Sequence, residues 1–409
     1  WFICNMKNDV IIIGGGAAGF FSAINIAIFN PKLNILILER GKEGLQKVKI
    51  SGGGRCNVTH GQFIPSELTI NYPRGEKELL GPFHQFMTGD TMKWFEDRGI
   101  ELKIEQDGRV FPVSNNSQTI IDCFLSEVKR LNIKVLYNHS VKSISLKNNE
   151  WLIHTDKQDF NSFKLLVATG SNPKIWNLMD QLNHTIVKPA PSLFSFDIND
   201  SRIKSIPGVV VEDVDIKVVN SKLFSDGPLL ITHKGMSAPS ILKLSAFGAL
   251  EFESLNYQFE ISINFVKISY LDCISELKLV KNNMSKKMVI NTPYFGIPKR
   301  LWKEIVVYSQ IDNTTTWAEL NKNQLNTLTT QLTSSIFKVN GKSTFKEEFV
   351  TAGGIDLKEI NFKTFESKIH NNLFFAGEVL NIDAITGGYN FQNAWTGAYI
   401  ASKSISGVS

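Results

Sequence analysis

The pattern of apolar and polar residues is clearest near the start of the chain. Residues 10–13 form a short apolar run rich in β-branched side chains, and the run stops at Gly14. Residues 20–29 are small or apolar, which is typical of a buried helix, and residues 33–38 form a second apolar run. A strand, a turn, a helix and a strand in this order predict a βαβ unit with two parallel strands.

The turn of this unit carries a glycine motif with the spacing G-x-G-x-x-G. In that motif the first glycine allows a tight turn, the second lets a ligand approach the backbone, and the third packs the helix on the strand. Free amides and the dipole at the helix N-terminus favour a pyrophosphate there. The predicted contacts are Gly14, Gly16, Ala17, Ala18 and Gly19.

An acidic residue completes the pattern of a dinucleotide-binding unit. Glu39 stands at the end of the second predicted strand, and Arg40 follows it. A carboxylate at this place accepts hydrogen bonds from the ribose hydroxyls of an adenosine. Since FAD and NAD both carry an adenosine diphosphate, this region leaves the choice between them open.

Residues 49–59 read K-I-S-G-G-G-R-C-N-V-T, and no predicted strand precedes them. They are therefore not predicted to form a second dinucleotide turn. Consecutive glycines followed by Arg55 suit a backbone nest around a phosphate or a flavin edge. A flexible loop with a surface arginine is the alternative interpretation.

Two further segments place small residues after predicted strands. One is A-T-G at residues 168–170, and the other leads through Glu378 to the glycine pair Gly387 and Gly388. The pair opens a predicted helix to residue 405, whose first amides and dipole would stabilise negative charge on a ligand. An ordinary buried strand and a glycine-capped amphipathic helix are the alternatives. The two predicted strands that precede these segments are residues 164–167 and 372–375. Further strands are predicted at residues 132–136, 141–146 and 151–154.

The first glycine motif, the string K-I-S-G-G-G-R-C-N and the run I-D-A-I-T-G-G-Y-N-F-Q-N-A together resemble the BaiN-like (YhiN-like) family of bacterial flavoproteins. The likeness spans essentially the whole chain. It implies an α/β fold with a Rossmann-like FAD-binding domain of the glutathione-reductase type, an inserted β-barrel domain and a small helical subdomain. It also implies FAD as the cofactor, with Glu378 at the ribitol hydroxyls. The further contacts implied are Ser51, Gly52, Gly53, Arg55, Cys56, Asn57, Val141, Ala168, Thr169, Gly170, Gly377, Glu378, Asp383, Gly387, Gly388, Tyr389 and Asn390.

The middle of the chain has a different pattern, which predicts an insertion. Alternating runs such as residues 209–219 and 259–266 indicate strands, whereas the region after Cys273 looks helical, with Trp302, Ile305 and Val306 as core residues. The predicted division is a discontinuous FAD-binding domain at 1–188 and 345–409, a β-barrel domain at 189–271 and 336–344, and a helical subdomain at 272–335.

The family resemblance implies an FAD-dependent oxidoreductase that carries a hydride from NAD(P)H to a carbon–carbon double bond conjugated to a carbonyl. The candidates for the proton donor are Tyr389, Arg109 and His233. No second dinucleotide motif follows a predicted strand in the middle of the chain, so NAD(P)H is expected to bind transiently. The alternatives are an FAD-containing protein that modifies RNA and a non-catalytic flavin-binding protein.

Composition narrows these expectations. The four cysteines include no C-x-x-C pair, so no metal site of that spacing and no redox-active disulfide are predicted. The net charge of +5 over 409 residues is spread along the chain, so we expect a small-molecule substrate and no nucleic acid. No apolar run approaches the ~18 residues of a membrane span. The cytoplasm is the expected location, residues 1–5 are expected to be an upstream extension or an expression remnant, and the oligomeric state stays open.

Overall fold

The computed structural model describes residues 8–343 and 350–408. The chain forms two compact units: the first takes the residues up to Pro189 and from Thr351 onward, and the second is Ala190–Val350. Residues 1–5, including Cys4, and the predicted return point at residue 345 lie outside the described residues.

The first segment alternates short strands with helices. Its elements are β1 (Asn8–Ile13), α1 (Ala17–Phe29), β2 (Ile35–Leu38), α2 (Gln46–Gly54), β3 (Thr59–His60), α3 (Pro65–Thr69), α4 (Glu76–Phe83), α5 (Thr88–Glu96), β4 (Leu102–Ile104), β5 (Arg109–Pro112), α6 (Ser117–Arg130), β6 (Lys134–Leu136), β7 (Val141–Lys147), β8 (Glu150–Thr155), β9 (Asp159–Val167), α7 (Pro173–Gln181) and β10 (Ile186–Ser192).

The second unit is antiparallel sheet and helix. Its elements are β11 (Ser195–Asp197), α8 (Ser201–Lys204), β12 (Val210–Val218), β13 (Phe224–Ile231), β14 (Gly235–Ser237), α9 (Pro239–Phe247), α10 (Ala249–Ser254), β15 (Phe259–Asn264), α11 (Tyr270–Asn283), α12 (Lys299–Tyr308), α13 (Lys322–Thr333), β16 (Ser335–Val339) and β17 (Gly341–Ser343), with 3₁₀ helices at Val289–Asn291 and Trp317–Glu319.

The returning segment completes the first unit. Its elements are β18 (Val350–Ile355), a 3₁₀ helix at Leu357–Glu359, β19 (Ile360–Asn361), β20 (Glu366–Ser367), β21 (Leu373–Phe375) and α14 (Tyr389–Ser406). Strands β10 and β18 pair with each other and contain the points at which the chain passes between the units.

The main sheet of the first unit has the order β19-β20-β21-β9-β1-β2-β6. Strands β21, β9, β1, β2 and β6 are parallel, and β8 and β7 continue from β9 in antiparallel pairs. This confirms the predicted βαβ unit and the Rossmann-like fold. Strand β9 begins at Asp159, earlier than predicted, because its polar first half pairs with β8 and carries no continuous apolar run.

Helices α1 and α14 pack side by side and run in the same direction. Ser402 Oγ donates to the carbonyl oxygen of Ser22 at 3.1 Å, and Ser406 Oγ donates to that of Ile26 at 3.4 Å. The rings of Phe21 and Trp395 lie 5.1 Å apart. Because α1 starts where β1 ends, both helix N-termini lie at the carboxyl edge of the parallel strands, where α/β sheets bind ligands.

The second unit has one sheet, with the order β16-β15-β12-β13-β14-β11-β17 and antiparallel pairing throughout. Trp302, Ile305 and Val306 are buried, which confirms them as core residues. Sheet residues such as Val214 and helix residues such as Leu277 share one hydrophobic cluster. The separation of this unit into a β-barrel domain and a helical subdomain stays a prediction.

The described residues contain neither a helix that could span a membrane nor a cluster that could hold a metal ion. No helix among them is long and apolar enough to cross a membrane. Nowhere between residues 8 and 343 or between 350 and 408 do three or more His, Cys, Asp or Glu side chains come together to hold a metal ion.

Candidate cofactor site

The N-terminus of α1 forms a backbone cradle. Gly14 has φ +109°, and a Cβ there would lie 2.5 Å from the carbonyl oxygen of Ala168. A Cβ on Gly19 would lie 1.9 Å from the carbonyl oxygen of Gly14, so only glycine fits at either position. Gly16 differs, since no described atom lies within 4 Å of its Cβ position and no side chain caps the helix there. Open space in front of uncapped amides suits an anion such as a pyrophosphate.

Glu39 is fixed beside this cradle by backbone amides. One carboxylate oxygen accepts from the N–H of Gly15 at 2.7 Å, and the other accepts from that of Gly41 at 2.6 Å. A carboxylate has about four lone-pair positions, so it still has room to accept from ribose hydroxyls. Arg40 is exposed and Val141 is buried.

The predicted glycine nest is present as a break in α2. Ser51 is extended, and Gly52, Gly53 and Gly54 have φ between +57° and +83°. The Cβ position of Gly52 meets Phe111 at 2.8 Å, whereas those of Gly53 and Gly54 have no described atom within 4 Å. The turn therefore packs on one side and offers free backbone on the other.

The three residues after the nest are held in different ways. The Arg55 guanidinium lies 3.8 Å from the centroid of the Phe111 ring and donates to Glu105 at 2.7 Å. Cys56 is fully buried, and burial raises the pKa of its thiol to about 12, which keeps it protonated and unreactive. Asn57 Oδ1 is buried and has no hydrogen-bond partner within the described parts of the chain. An unpaired buried oxygen is costly, which makes Asn57 a candidate for contact with a ligand.

The adjacent strands β9 and β21 bring two predicted segments together. Glu378 Oε2 accepts from Lys47 Nζ at 2.5 Å. The Cβ position of Gly170 is 3.8 Å from that carboxylate oxygen and 4.0 Å from Lys47 Nζ. A Cβ on Gly377 would lie 3.4 Å from the Cβ of Ala18 on α1. Ala168 is buried and Thr169 is half-buried, so this small-residue region allows a close approach to the backbone.

The N-terminus of α14 is a second uncapped helix start. Gly387 and Gly388 have φ +134° and +97°, and no side chain caps the helix at Gly388. A Cβ on Gly388 would lie 2.4 Å from the carbonyl oxygen of Thr59, which excludes any larger residue. Asn390 holds the preceding loop, since its Oδ1 accepts from the N–H of Ala384 at 3.0 Å.

Long-range side chains hold this second helix start. His60 Nδ1 is 3.0 Å from the carbonyl oxygen of Gly387, and the His60 ring stacks on Tyr389 with centroids 4.5 Å apart. The Tyr72 hydroxyl donates to the carbonyl oxygen of Tyr389 at 2.6 Å. Arg74 makes a two-pronged ion pair with Asp383, whose side chain is fully buried. A direct contact between Asp383 and a cofactor stays a prediction.

Two of the three predicted proton donors, Arg109 and Tyr389, are neighbours of His60. Arg109 lies opposite His60 in the β3–β5 pair, and His60 stacks on Tyr389. The Tyr389 hydroxyl lies 3.4 Å from Gln62 Oε1, and burial raises the pKa of Tyr389 to about 12. His233 lies in the second unit, exposed in the turn between β13 and β14.

Four residues of this region were not predicted from the sequence: His60, Gln62, Tyr72 and Arg74. The signal for His60 was its position three residues after Asn57, at the end of the same motif. Tyr72 gave no local signal, because its contact with α14 spans 317 positions of the chain.

The fold, the two uncapped helix starts and the glycine nest define an FAD-binding flavoprotein with a Rossmann-like α/β fold. The chain belongs to the family described as HI0933-like protein Rossmann domain, which matches residues 8–404. The predicted resemblance, the FAD-binding fold and the class of flavoprotein oxidoreductase are thereby confirmed.

Curated relatives match over almost the full chain. A ribosomal RNA dihydrouridine synthase from Escherichia coli is 27% identical over 97% of this chain and 98% of its own length. A protein of the same name from Haemophilus influenzae is also 27% identical, over 98% of both chains. A 3-dehydro-bile acid delta(4,6)-reductase from Clostridium scindens is 24% identical over 97% of this chain and 98% of its own.

Among solved structures, a 3-ketosteroid-delta4-(5alpha)-dehydrogenase from Rhodococcus jostii is similar with a TM-score of 0.52. The match covers 98% of this chain and 97% of that structure at 11% sequence identity, which establishes a shared fold alone.

Proposed function

We propose that this chain is an FAD-dependent reductase of a carbon–carbon double bond conjugated to a carbonyl. Both kinds of curated relative support this reaction class, because a dihydrouridine is a uridine whose ring double bond, conjugated to a carbonyl, has been saturated. A 3-oxo steroid with a neighbouring double bond presents the same group. The two kinds of relative therefore share the reacting group of the substrate, although one is named for an RNA and the other for a bile acid.

The observation that carries the proposal is the pair of parallel helices α1 and α14, which both begin at uncapped glycines on one edge of the sheet. Gly16 would leave room for the pyrophosphate, Glu39 would accept from the ribose, and Glu378 would accept from the ribitol hydroxyls. The N-terminus of α14 would face the electron-rich edge of the flavin. Negative charge at a helix N-terminus is stabilised by the helix dipole and the free amides.

The reaction adds a hydride to the carbon far from the carbonyl and a proton to the carbon beside it. Bound FAD supplies the hydride chemistry, with NAD(P)H as the proposed reductant. Tyr389 is our candidate for the proton donor, because it is the first residue of α14, whose N-terminus would face the flavin. Burial raises its pKa to about 12, so the phenol carries a proton at neutral pH. Arg109 and His233 remain the other candidates.

Half-reactions test this proposal. NADPH and then NADH are added anaerobically to the FAD-loaded protein, and we expect the flavin absorbance to bleach. A cyclic enone is then added, and we expect the colour to return with a product that has gained two hydrogens by mass spectrometry. Flavin bands that persist with both nicotinamides would exclude them as reductants. Bleached bands that no conjugated acceptor restores would overturn the reaction class.

A uridine in ribosomal RNA is the second candidate substrate, and the two dihydrouridine synthases with the higher identity favour it. The same bleached protein is therefore mixed with a ribosomal RNA fragment, and dihydrouridine is measured by mass spectrometry. Recovery of colour by RNA and by no small enone would assign the chain to RNA modification. The salt dependence of RNA retention would then report the number of phosphate contacts.

A further inference from the structure

The glycine pair before α14 is anchored by one side chain. His60 Nδ1 lies 3.0 Å from the carbonyl oxygen of Gly387. A carbonyl oxygen only accepts hydrogen bonds, so Nδ1 carries the proton and donates it. This assigns the tautomer of the neutral ring, in which Nε2 is unprotonated.

The anchor acts on the peptide between the two glycines of the helix start. Gly387 and Gly388 both have φ in the left-handed half of the map, at +134° and +97°, where residues with a Cβ are strained. Two glycines in succession leave the peptide between them free to rotate at little cost. In a trans peptide the C=O and N–H point to opposite sides. A donor held at the Gly387 oxygen therefore fixes the Gly388 N–H on the side away from His60.

The His60 ring is itself clamped. It stacks on Tyr389 with 22° between the ring planes. On the β4–β5 hairpin, a Cβ on Gly108 would lie 2.5 Å from His60 Nε2, so the hairpin backbone closes on that nitrogen. His60 also pairs across the ladder with Arg109. A ring held at two sides has few orientations left, which makes its Nδ1–H a fixed donor.

We propose that His60 is a positioning residue that locks the Gly387–Gly388 peptide, so that the Gly388 N–H is presented to the electron-rich edge of the flavin. The inference rests on the proposed function, since it assumes that FAD occupies this helix start. It gives His60 a role in the affinity and reduction potential of the cofactor, separate from the proton donor.

A matched pair of variants separates the donor from the ring. His60→Asn keeps an N–H at the position of Nδ1 and loses the ring, whereas His60→Phe keeps the stacked ring and loses the donor. FAD affinity is measured by fluorescence titration of the apoprotein, and the reduction potential by spectroscopic titration. We expect His60→Asn to bind FAD within about twofold of the wild type. His60→Phe should bind about tenfold more weakly and have a more negative potential, because tenfold corresponds to about 1.4 kcal/mol, which is at the upper end of what one hydrogen bond contributes.

His60→Leu, which matches Asn in size and branching, replaces His60→Phe if the latter fails to fold. A larger loss in His60→Asn than in His60→Phe would show that the ring and not the donor matters, and equal losses would show that the donor has no specific role; either result would overturn the inference. Wild-type affinity and potential in His60→Phe would overturn it as well. Absence of double-bond reduction in the wild type would instead contradict the proposed function and leave these two readouts valid.

Discussion

The helix starts of α1 and α14, neither of which has a side-chain cap, are built in different ways. At α1, the cradle is closed by backbone atoms, with Gly19 against Gly14 in the same turn and Gly14 against Ala168 after the neighbouring strand β9. At α14, the cradle is held by side chains from residues 59–74, which are more than 300 positions away in the sequence. The first is a local motif and the second is a product of the tertiary fold, so different substitutions should damage them.

The largest effect is expected at the local cradle. Gly16→Val should weaken FAD binding by at least about 100-fold, because the side chain would fill the space left for the pyrophosphate. The protein itself has room for it, since no described atom lies within 4 Å of the Cβ position, and the backbone there is extended at φ −95°. The measurement is the flavin-to-protein absorbance ratio after reconstitution.

Gly81→Val is the matched control, because Gly81 on α4 also faces open space. It should retain FAD as the wild type does. Full FAD occupancy in Gly16→Val would show that the pyrophosphate does not bind at the N-terminus of α1.

The second cradle should depend on a buried ion pair. Arg74→Ala leaves the fully buried Asp383 carboxylate without its arginine, and loss of one partner of a buried pair costs about 3 kcal/mol of unfolding free energy. Urea denaturation followed by tryptophan fluorescence measures this. Arg130→Ala, which removes an exposed arginine from its pair with Glu127, should cost less than about 1 kcal/mol. Equal effects would contradict the structural role of Arg74.

Glu378 follows Gly377, whose Cβ position meets Ala18 on α1 and Ala394 on α14, and substitution of Glu378 should have an intermediate effect. Glu378→Ala removes the acceptor proposed for the ribitol hydroxyls, so FAD binding should weaken about tenfold. Lys47→Ala, which removes the basic partner of Glu378 and leaves its carboxylate in place, should bind FAD within a few-fold of the wild type. If both variants weaken binding equally, the ion pair and not the ribitol contact is the function of Glu378.

The smallest expected effect is a change of unfolding free energy with pH, caused by His60 beside the start of α14. Burial lowers the pKa of His60 below its usual 6.5, so between the folded value and 6.5 the unfolded chain binds more protons than the folded one. The stability from the neutral ring is therefore present above 6.5 and is lost as the pH falls toward the folded pKa. Wild-type protein should lose more unfolding free energy than His60→Asn between about pH 7 and about pH 5. Identical losses would contradict this sign.

The local cradle and its neighbours could be predicted from the sequence. The run before Gly14, the glycine spacing and Glu39 are all within one βαβ unit, where apolar periodicity and turn chemistry act on adjacent residues. A backbone nest at Gly52 to Gly54 was also predicted, as one of two interpretations, because consecutive glycines favour the left-handed conformation that these residues adopt. The helical turns before it and the break at Ser51 were not predicted.

The helix start at α14 could be predicted only in part from the sequence. Gly387 and Gly388 predicted a helix start. His60, Tyr72 and Arg74 contact this helix start from distant parts of the chain, and no local sequence pattern predicts those contacts. Asp383 shows the difficulty, since its carboxylate is predicted at the cofactor and is engaged by Arg74 in a buried pair. Which charges are satisfied inside the protein depends on the assembled fold.

The most direct test of the account is a calorimetric titration of FAD into the apoprotein. We predict saturable binding of one FAD for each chain, lost in Gly16→Val and about tenfold weaker in His60→Phe. Absence of any binding by the folded wild-type protein would contradict the assignment of both helix starts to one cofactor.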